Sequence, residues 1–391
     1  MNSYKTRSQE IYEEIIENRR YLHQHAELGF DLDQTRAFVT EKLKSYGYEP
    51  SELGGGITAT VGKPGKTIML RADMDALPQE EASGLPFACT SGACHSCGHD
   101  AHVAMLLGAA RLLKENEDEL QGTVKFCFQP CEELLSGAKS MIDAGILVNP
   151  QVDAAMGMHI NYGPVDHDYH VGTFFYGEEK FCSSADAFEI TVTGKTAHGS
   201  TPHAGVNALS AAANIVVALQ QFFTLQQPSD ETSVLSVCSL HSGSASNIIP
   251  EKAVMQGTIR TYSRPNRNYL LKRLEEIAKQ TAAVWGAEAE VDIFISTPPN
   301  VNDPELTAEM GTYCREVLDD VRLAEPQSFS EDFAYYGEYV PTFFGMLYAG
   351  GPDEGYPYKL HDPHATFDET VMPYGVAAFC QCATRWLENH Q

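Results

Sequence analysis

Apolar Ile11, Ile15, Ile16 and Leu22, with Arg19 in the same register, recur at helical spacing over Thr6–His23, and the pattern repeats over Asp33–Tyr46, through Phe38 and Leu43 up to Gly47. Two helices therefore precede any strand. Short runs rich in Thr, Val, Ile and Leu then predict strands at Gly56–Gly62 and Thr67–Ala72, the second running into Arg71-Ala72-Asp73-Met74-Asp75. A helix at Ala101–Leu113 is followed by a strand at Thr123–Gln129, which leads into Pro130-Cys131-Glu132-Glu133. A helix at Leu134–Ala144 is expected to stop at Gly145, and the apolar stretch Ala154–Met158 ends in His159. Strands alternating with helices predict a largely parallel sheet, whose ligands sit outside the carboxyl ends of the strands.

The rhythm changes at Ala185. A strand at Ala185–Gly194, a helix at Val206–Phe223, strands at Thr232–His241 and Ala253–Tyr262, a helix at Pro265–Trp285 and a strand at Ala287–Ser296 give the ferredoxin-like order. From Val301 the chain returns to the first pattern, with a helix at Pro304–Asp320, a strand near Thr342–Leu347, the stretch Lys359-Leu360-His361-Asp362 and a closing helix. The expected fold is α/β in two domains. Residues 1–183 and 297–391 form a mostly parallel-sheet domain, and residues 184–296 an inserted ferredoxin-like α+β domain. Helices on one face of the inserted sheet leave its edges to be managed. Pairing them across a two-fold axis predicts a dimerisation, or lid, role.

Composition narrows this picture. At 391 residues the chain exceeds the roughly 250 to 300 at which one core stops growing, so two domains are expected, and 43% hydrophobic residues suffice for both. Ten cysteines spread over so long a chain do not make the dense disulfide framework of a small secreted domain. Met1–Arg20 is charged and helical rather than signal-like, and no apolar run approaches the roughly 18 residues of a membrane span. A soluble cytoplasmic protein is expected. The net charge of −26 argues against nucleic acid and anionic membrane as partners. It also means that an anionic substrate needs a local cation, either a bound metal or a placed Arg.

Candidate chemistry gathers at the predicted strand ends. In an extended Cys97-Gly98-His99 the Cys and His side chains share a face, and Gly98 lets the backbone approach closely. Asp73, Asp75, Glu132, Glu133 and His159 fall at three successive strand ends, which points to one shared site.

Taken together, the motifs resemble those of the di-metal amidohydrolases of the aminoacylase and carboxypeptidase family. The nearest branch is that of hippurate hydrolase, N-acyl-amino-acid deacetylases and the plant auxin-conjugate hydrolases. The resemblance runs from Arg19-Arg20-Tyr21-Leu22-His23 through Arg71–Pro78, Cys97-Gly98-His99-Asp100-Ala101-His102, Phe128–Glu133 and Gly157-Met158-His159. It continues through Ala197-His198-Gly199-Ser200, Asn247-Ile248-Ile249-Pro250, Gly257–Thr261, Ser330-Glu331-Asp332-Phe333 and Leu360-His361. It implies two divalent ions per subunit, held by Cys97, His99, Glu133, His159 and His361, with Cys97 as a bridging thiolate. A thiolate, imidazoles and a carboxylate suit zinc or manganese and do not exclude nickel or cobalt.

Adjacent Glu132 and Glu133 cannot easily aim at one point, so Glu133 is expected on the metal and Glu132 as general base. Asp73, Asp75 and Asp100 are expected to accept N–H bonds from the ligating imidazoles. By the same resemblance His198 polarises the scissile carbonyl of the neighbouring subunit's substrate. Asn247 is a substrate-binding candidate, and Arg260, beside His198 in the inserted sheet, is a fork for the substrate carboxylate.

The chain departs from the branch pattern at Cys94 and Cys131 and over Asn161–His170, which leaves the ligands intact and bears on the acyl pocket. The implied activity is hydrolysis of an N-acyl amino acid, N-acetyl, N-benzoyl or similar, to a carboxylate and a free amino acid by a cytoplasmic homodimer. Two alternatives stand beside it. One is a dipeptidase or exopeptidase of the same family; the other is a non-catalytic metal- or thiol-binding protein on the same scaffold, against which the intact Glu132 speaks.

Overall fold

The computed structural model describes residues 3–165 and 167–391; Met1, Asn2 and Asp166, the last within the Asn161–His170 departure, lie outside the described residues. The chain divides into two units, Met1–Phe181 with Asn302–Glu325 and Asp332–Gln391, and Cys182–Val301 with Pro326–Glu331.

The first unit is built on an eight-stranded sheet. Its spatial order is Ser51–Leu53, Gly56–Gly62, Thr123–Gln129, Thr67–Asp73, Ala154–Asn161, Thr342–Tyr348, Phe174–Tyr176 and Val321–Leu323. The four strands from Thr123–Gln129 to Thr342–Tyr348 run parallel. Parallel strands are covered on both faces and so read as continuous apolar runs. Every residue of Thr67–Asp73 and of Thr342–Tyr348 is accordingly buried. The core is completed by the helices His99–Glu115 and Met372–Asn389, through residues such as Met105, Leu106, Val376 and Phe379.

Several elements differ from expectation for local reasons. The first predicted helix is two, Tyr4–Glu10 and Tyr12–Gln24, joined at the non-helical Ile11. The helix expected at Leu134–Ala144 is confined to Gly137–Asp143. Cys131 and Leu135 take φ of 55° and 54°, which a helix cannot accommodate, and Glu132 to Leu135 form a turn instead. Gly137 is required where that turn closes, because a Cβ there would lie 1.6 Å from the Pro130 carbonyl oxygen. The strand holding His159 runs on to Asn161, since pairing continues through Met346 opposite His159 to Tyr348 opposite Asn161. His159 is thus inside a strand rather than just past its end.

The second unit carries four antiparallel strands in the order Ser233–Ser242, Lys252–Thr261, Ala185–Thr193, Glu288–Thr297. With the helices Ala208–Gln226 and Arg264–Val284 between them, the connectivity and order are ferredoxin-like. Asn207 and Ser263 cap the two helices through the backbone N–H groups of Ser210 and Asn266. The helix Ala208–Gln226 corrects the expectation of no long apolar run, for it is long and apolar enough to cross a membrane by composition. Its Ala208, Ala211, Ala212, Ile215, Leu219 and Phe222 stripe instead belongs to the buried core with Phe188, Ile190 and Leu274.

Candidate active site

The segment expected to be extended at Cys97 is a turn. Gly98 takes φ +89° and caps the helix that begins at His99. A Cβ on Gly98 would sit 2.4 Å from Ile160 Cγ2, so only glycine lets this turn lie against the strand that carries His159. The consequence is that Cys97 and three imidazoles converge. The Cys97 Sγ lies 3.4 Å from His159 Nε2 and 3.3 Å from His361 Nε2.

Each ring is oriented by what its neighbours offer. His99 Nδ1 donates to the Asp75 backbone carbonyl at 2.8 Å, which leaves Nε2 facing Glu132 Oε2 at 3.9 Å and Glu133 Oε1 at 4.0 Å. His159 Nδ1 donates to the Ile160 carbonyl. His361 has φ 69°, its N–H donates to the Ser96 carbonyl at 2.8 Å, and its Nε2 lies 3.6 Å from Glu133 Oε2. With 55% of its side chain exposed, His361 marks the open side of the cluster.

Of five groups of potential ligand atoms among the described residues, two share the Cys97 sulfur, Cys97 with His99 and His159, and Cys97 with Glu133 and His361, and two others include Glu132, with His99 and Glu133 and with Glu331 and Asp332. His99 Nε2 and Glu133 Oε1 are buried without a hydrogen-bond partner. An unpaired polar atom in such a place is costly, and cations would satisfy both. The residues therefore fit divalent metal ions, which Cys97, His99, Glu133, His159 and His361 would hold. The remaining group, Asp73 with His99 and His102, has a different explanation. His102 Nδ1 donates to Asp73 Oδ1 at 2.5 Å and its Nε2 accepts the Ile160 N–H at 2.8 Å, so neither nitrogen is left for an ion. His102 had no assigned role in the sequence, although its spacing of three from His99 on a helix places it on the same face.

The three aspartates have their shortest bonds to other partners, while Asp73 and Asp75 also stand beside the expected ligand His99 and Asp100 faces away from it. Asp73 accepts from His102 and from Arg71 Nη1, the latter at 2.5 Å, and its Oδ2 stands 3.7 Å from His99 Nε2. The Asp75 carboxylate accepts the backbone N–H groups of Glu132 at 2.9 Å and Glu133 at 3.1 Å; His99 Nδ1 bonds its main-chain carbonyl, with the carboxylate Oδ1 3.7 Å from the same nitrogen. Asp100 accepts from Arg19 Nε at 2.9 Å and His23 Nδ1 at 2.8 Å. The reason is directional: Asp100 lies in the first turn of the helix after His99, and its side chain leaves on another face.

Burial governs the protonation of the cluster. Burial, reinforced by Glu133, pushes the Cys97 thiol well above its ordinary value. Burial, with Asp75 adding and His99 opposing, pushes Glu133 up to about 7. Burial and then His102 hold His159 well below its ordinary value, so its ring is neutral. Burial would raise Asp73, but Arg71, His99 and His102 hold it well below the usual carboxylate range.

A cation must displace the Cys97 proton and, because burial is outweighed by Asp73 and Cys97, which hold His99 well above its ordinary value, a His99 proton, and below about 7 the Glu133 proton as well. Apparent Zn²⁺ affinity should therefore rise by roughly tenfold per pH unit for the thiol proton alone, more steeply at the acid end. Chelator competition at pH 6, 7 and 8 measures it. A flat profile would remove Cys97 from the ligand set.

The remaining candidates lie in the second unit. His198 pairs with Ile248 on a two-stranded ribbon, its Nδ1 is 2.7 Å from Ser200 Oγ, and the adjacent Gly199 N–H donates to the Asn247 carbonyl at 2.7 Å. Arg260 lies in the four-stranded sheet opposite Val234. The expectation that His198 and Arg260 share a sheet is thus corrected: Gly194 to Thr196 carry the chain out of the sheet before His198.

The family model described as peptidase family M20/M25/M40 matches residues 69–385. The N-acetyl-L-cysteine deacetylase of Bacillus subtilis is 35% identical over 97% of this chain and 90% of its own length. Thermostable carboxypeptidase 2 of Saccharolobus solfataricus is 36% identical, with 96% of each chain covered. The solved structure of a Bacillus subtilis dinuclear metal binding peptidase superposes with a TM-score of 0.82 at 32% identity, covering 97% of this chain and 99% of that one. A match over most of the chain, with relatives that share its full architecture and are named as hydrolases, establishes that this chain belongs to peptidase family M20/M25/M40.

Proposed function

We propose that this hydrolase cleaves the amide of N-acyl amino acids, releasing a carboxylate and a free amino acid. The observation that carries the reading is the pair of ligand-atom groups sharing the Cys97 sulfur, with the Glu132 carboxylate beside them. Cys97, His99, Glu133, His159 and His361 hold two divalent ions, zinc or manganese, with nickel or cobalt also compatible. Bound there, such ions would supply polarisation of a scissile carbonyl and acidification of water. Glu132 takes the proton from the attacking water and returns it to the leaving amine. Its seat suits that work: Asp75 grips its backbone, and the Asp332 N–H points at its Oε1 from 3.4 Å. His198 and Asn247 serve the substrate's carbonyl and Arg260 its carboxylate. The reading takes the protein as a cytoplasmic homodimer in which His198 serves the partner's site.

The test is a screen of N-acetyl, N-benzoyl and longer N-acyl amino acids against metal-reconstituted enzyme. Arg260→Ala should raise KM steeply for N-acyl amino acids and matter little for the corresponding amides. Equal losses on acids and amides would remove Arg260 from the carboxylate. The likeness to a carboxypeptidase favours a second reading, an exopeptidase. Turnover of a dipeptide but not of the N-acetyl form of its parent amino acid would establish that one, and no turnover of any amide with both ions bound would leave a non-catalytic metal protein.

A further inference from the structure

His23 belongs to a sequence motif that the chemistry above leaves unused, yet it is buried within reach of two segments that carry ligands. Its Nδ1 donates to Asp100 Oδ2 at 2.8 Å and its Nε2 to Glu81 Oε1 at 2.9 Å. Both ring nitrogens therefore donate, which requires an imidazolium. Each carboxylate adjoins a ligand-bearing segment. Asp100 follows His99 directly. Glu81 precedes Ala82, whose N–H donates to the Pro363 carbonyl at 2.8 Å, two residues beyond His361.

The ligands differ in how firmly they are held. His99 is fixed by a helix and by Asp75, and His159 by the interior of a strand. His361 sits outside any helix or strand in a left-handed backbone conformation and half exposed. To the rest of the fold it is tied through its own N–H to the Ser96 carbonyl and, nearby, by the Ala82 N–H to the Pro363 carbonyl.

Resting on the ligand reading above, we propose that His23 is a positioning residue for the outer ion. By joining Asp100 to Glu81 it sets the spacing between the segment that carries Cys97 and His99 and the segment that carries His361. The inner ion, between Cys97, His99 and His159, does not depend on it, because Asp100 keeps Arg19 when His23 is lost. Raised to about 9 by Asp100 and Glu81 against the effect of burial, the imidazolium persists at neutral pH.

Full-length protein is titrated with Co²⁺ against a competing chelator, following thiolate-to-cobalt absorption, so that two dissociation constants are read. His23→Gln should weaken the outer ion by roughly 10- to 100-fold, as losing a partner that orients a ligand does, with the inner constant unchanged. Glu81→Gln should shift the same constant in the same direction by less. Equal weakening of both ions, or of neither, overturns the proposal. If a thermal melt shows His23→Gln unfolded, Glu81→Gln decides by the same criterion. Failure of the ligand reading looks different: wild type would bind fewer than two ions or lack the thiolate band.

Discussion

Glu132→Gln is expected to retain both metal ions and to lose at least the roughly 10²- to 10⁴-fold in turnover that a general base supplies. The amide matches the carboxylate in shape and can still accept from the Asp332 N–H, so the turn held by Asp75 has no reason to move. Only the capacity to take a proton is gone. Cys97→Ala should behave in the opposite way, since its sulfur is common to both groups of ligand atoms and its removal takes a ligand from each ion. Metal analysis of the two purified variants, beside their turnover, separates the roles. Full metal content with normal turnover in Cys97→Ala would sink the ligand assignment.

His198→Ala is expected to cost on the order of 10² to 10³ in kcat, the loss that follows removal of a donor to a developing oxyanion. Its distinctive consequence comes from mixing. A heterodimer of a Glu132→Gln chain with a His198→Ala chain has one site with both lesions and one with neither if His198 serves the opposite subunit. Random exchange makes half the dimers mixed, so about a quarter of wild-type activity should return from two nearly inactive parents. If His198 acts within its own chain, every site keeps a lesion. Absence of recovery after demonstrated subunit exchange would establish that outcome.

The elements most legible in the sequence are those whose limits are set locally. Gly56–Gly62 and Thr123–Gln129 have the expected bounds because their flanking residues do not continue a strand. Three-residue strands such as Ser51–Leu53, Phe174–Tyr176 and Val321–Leu323 are too short to show a period, and their existence depends on distant partners. The turn at Glu132 was hidden for a related reason: Cys131 and Leu135 are not residues that announce a positive φ. Within the site, residue types at strand ends pointed to a shared centre. Joining Cys97 to His361, 264 residues apart, needed the resemblance. What neither supplied was the traffic among carboxylates. Whether Asp100 meets His99 or His23 depends on the direction in which a helix's first turn projects, and spacing along the chain does not encode that.

The grip of one Asp75 carboxylate on two successive backbone N–H groups makes Glu132 and Glu133 passengers on a single mount. The placement of their main chains is then set by one carboxylate, whatever the side chains around them. On the proposed roles, variants selected for new acyl groups have the residues around this mount to alter, while the backbone that presents the base and the ligand is inherited intact. Asp75 itself is the exception. A change there would disturb two functions at once, and no second substitution at either glutamate side chain could restore a tie made through their main chain.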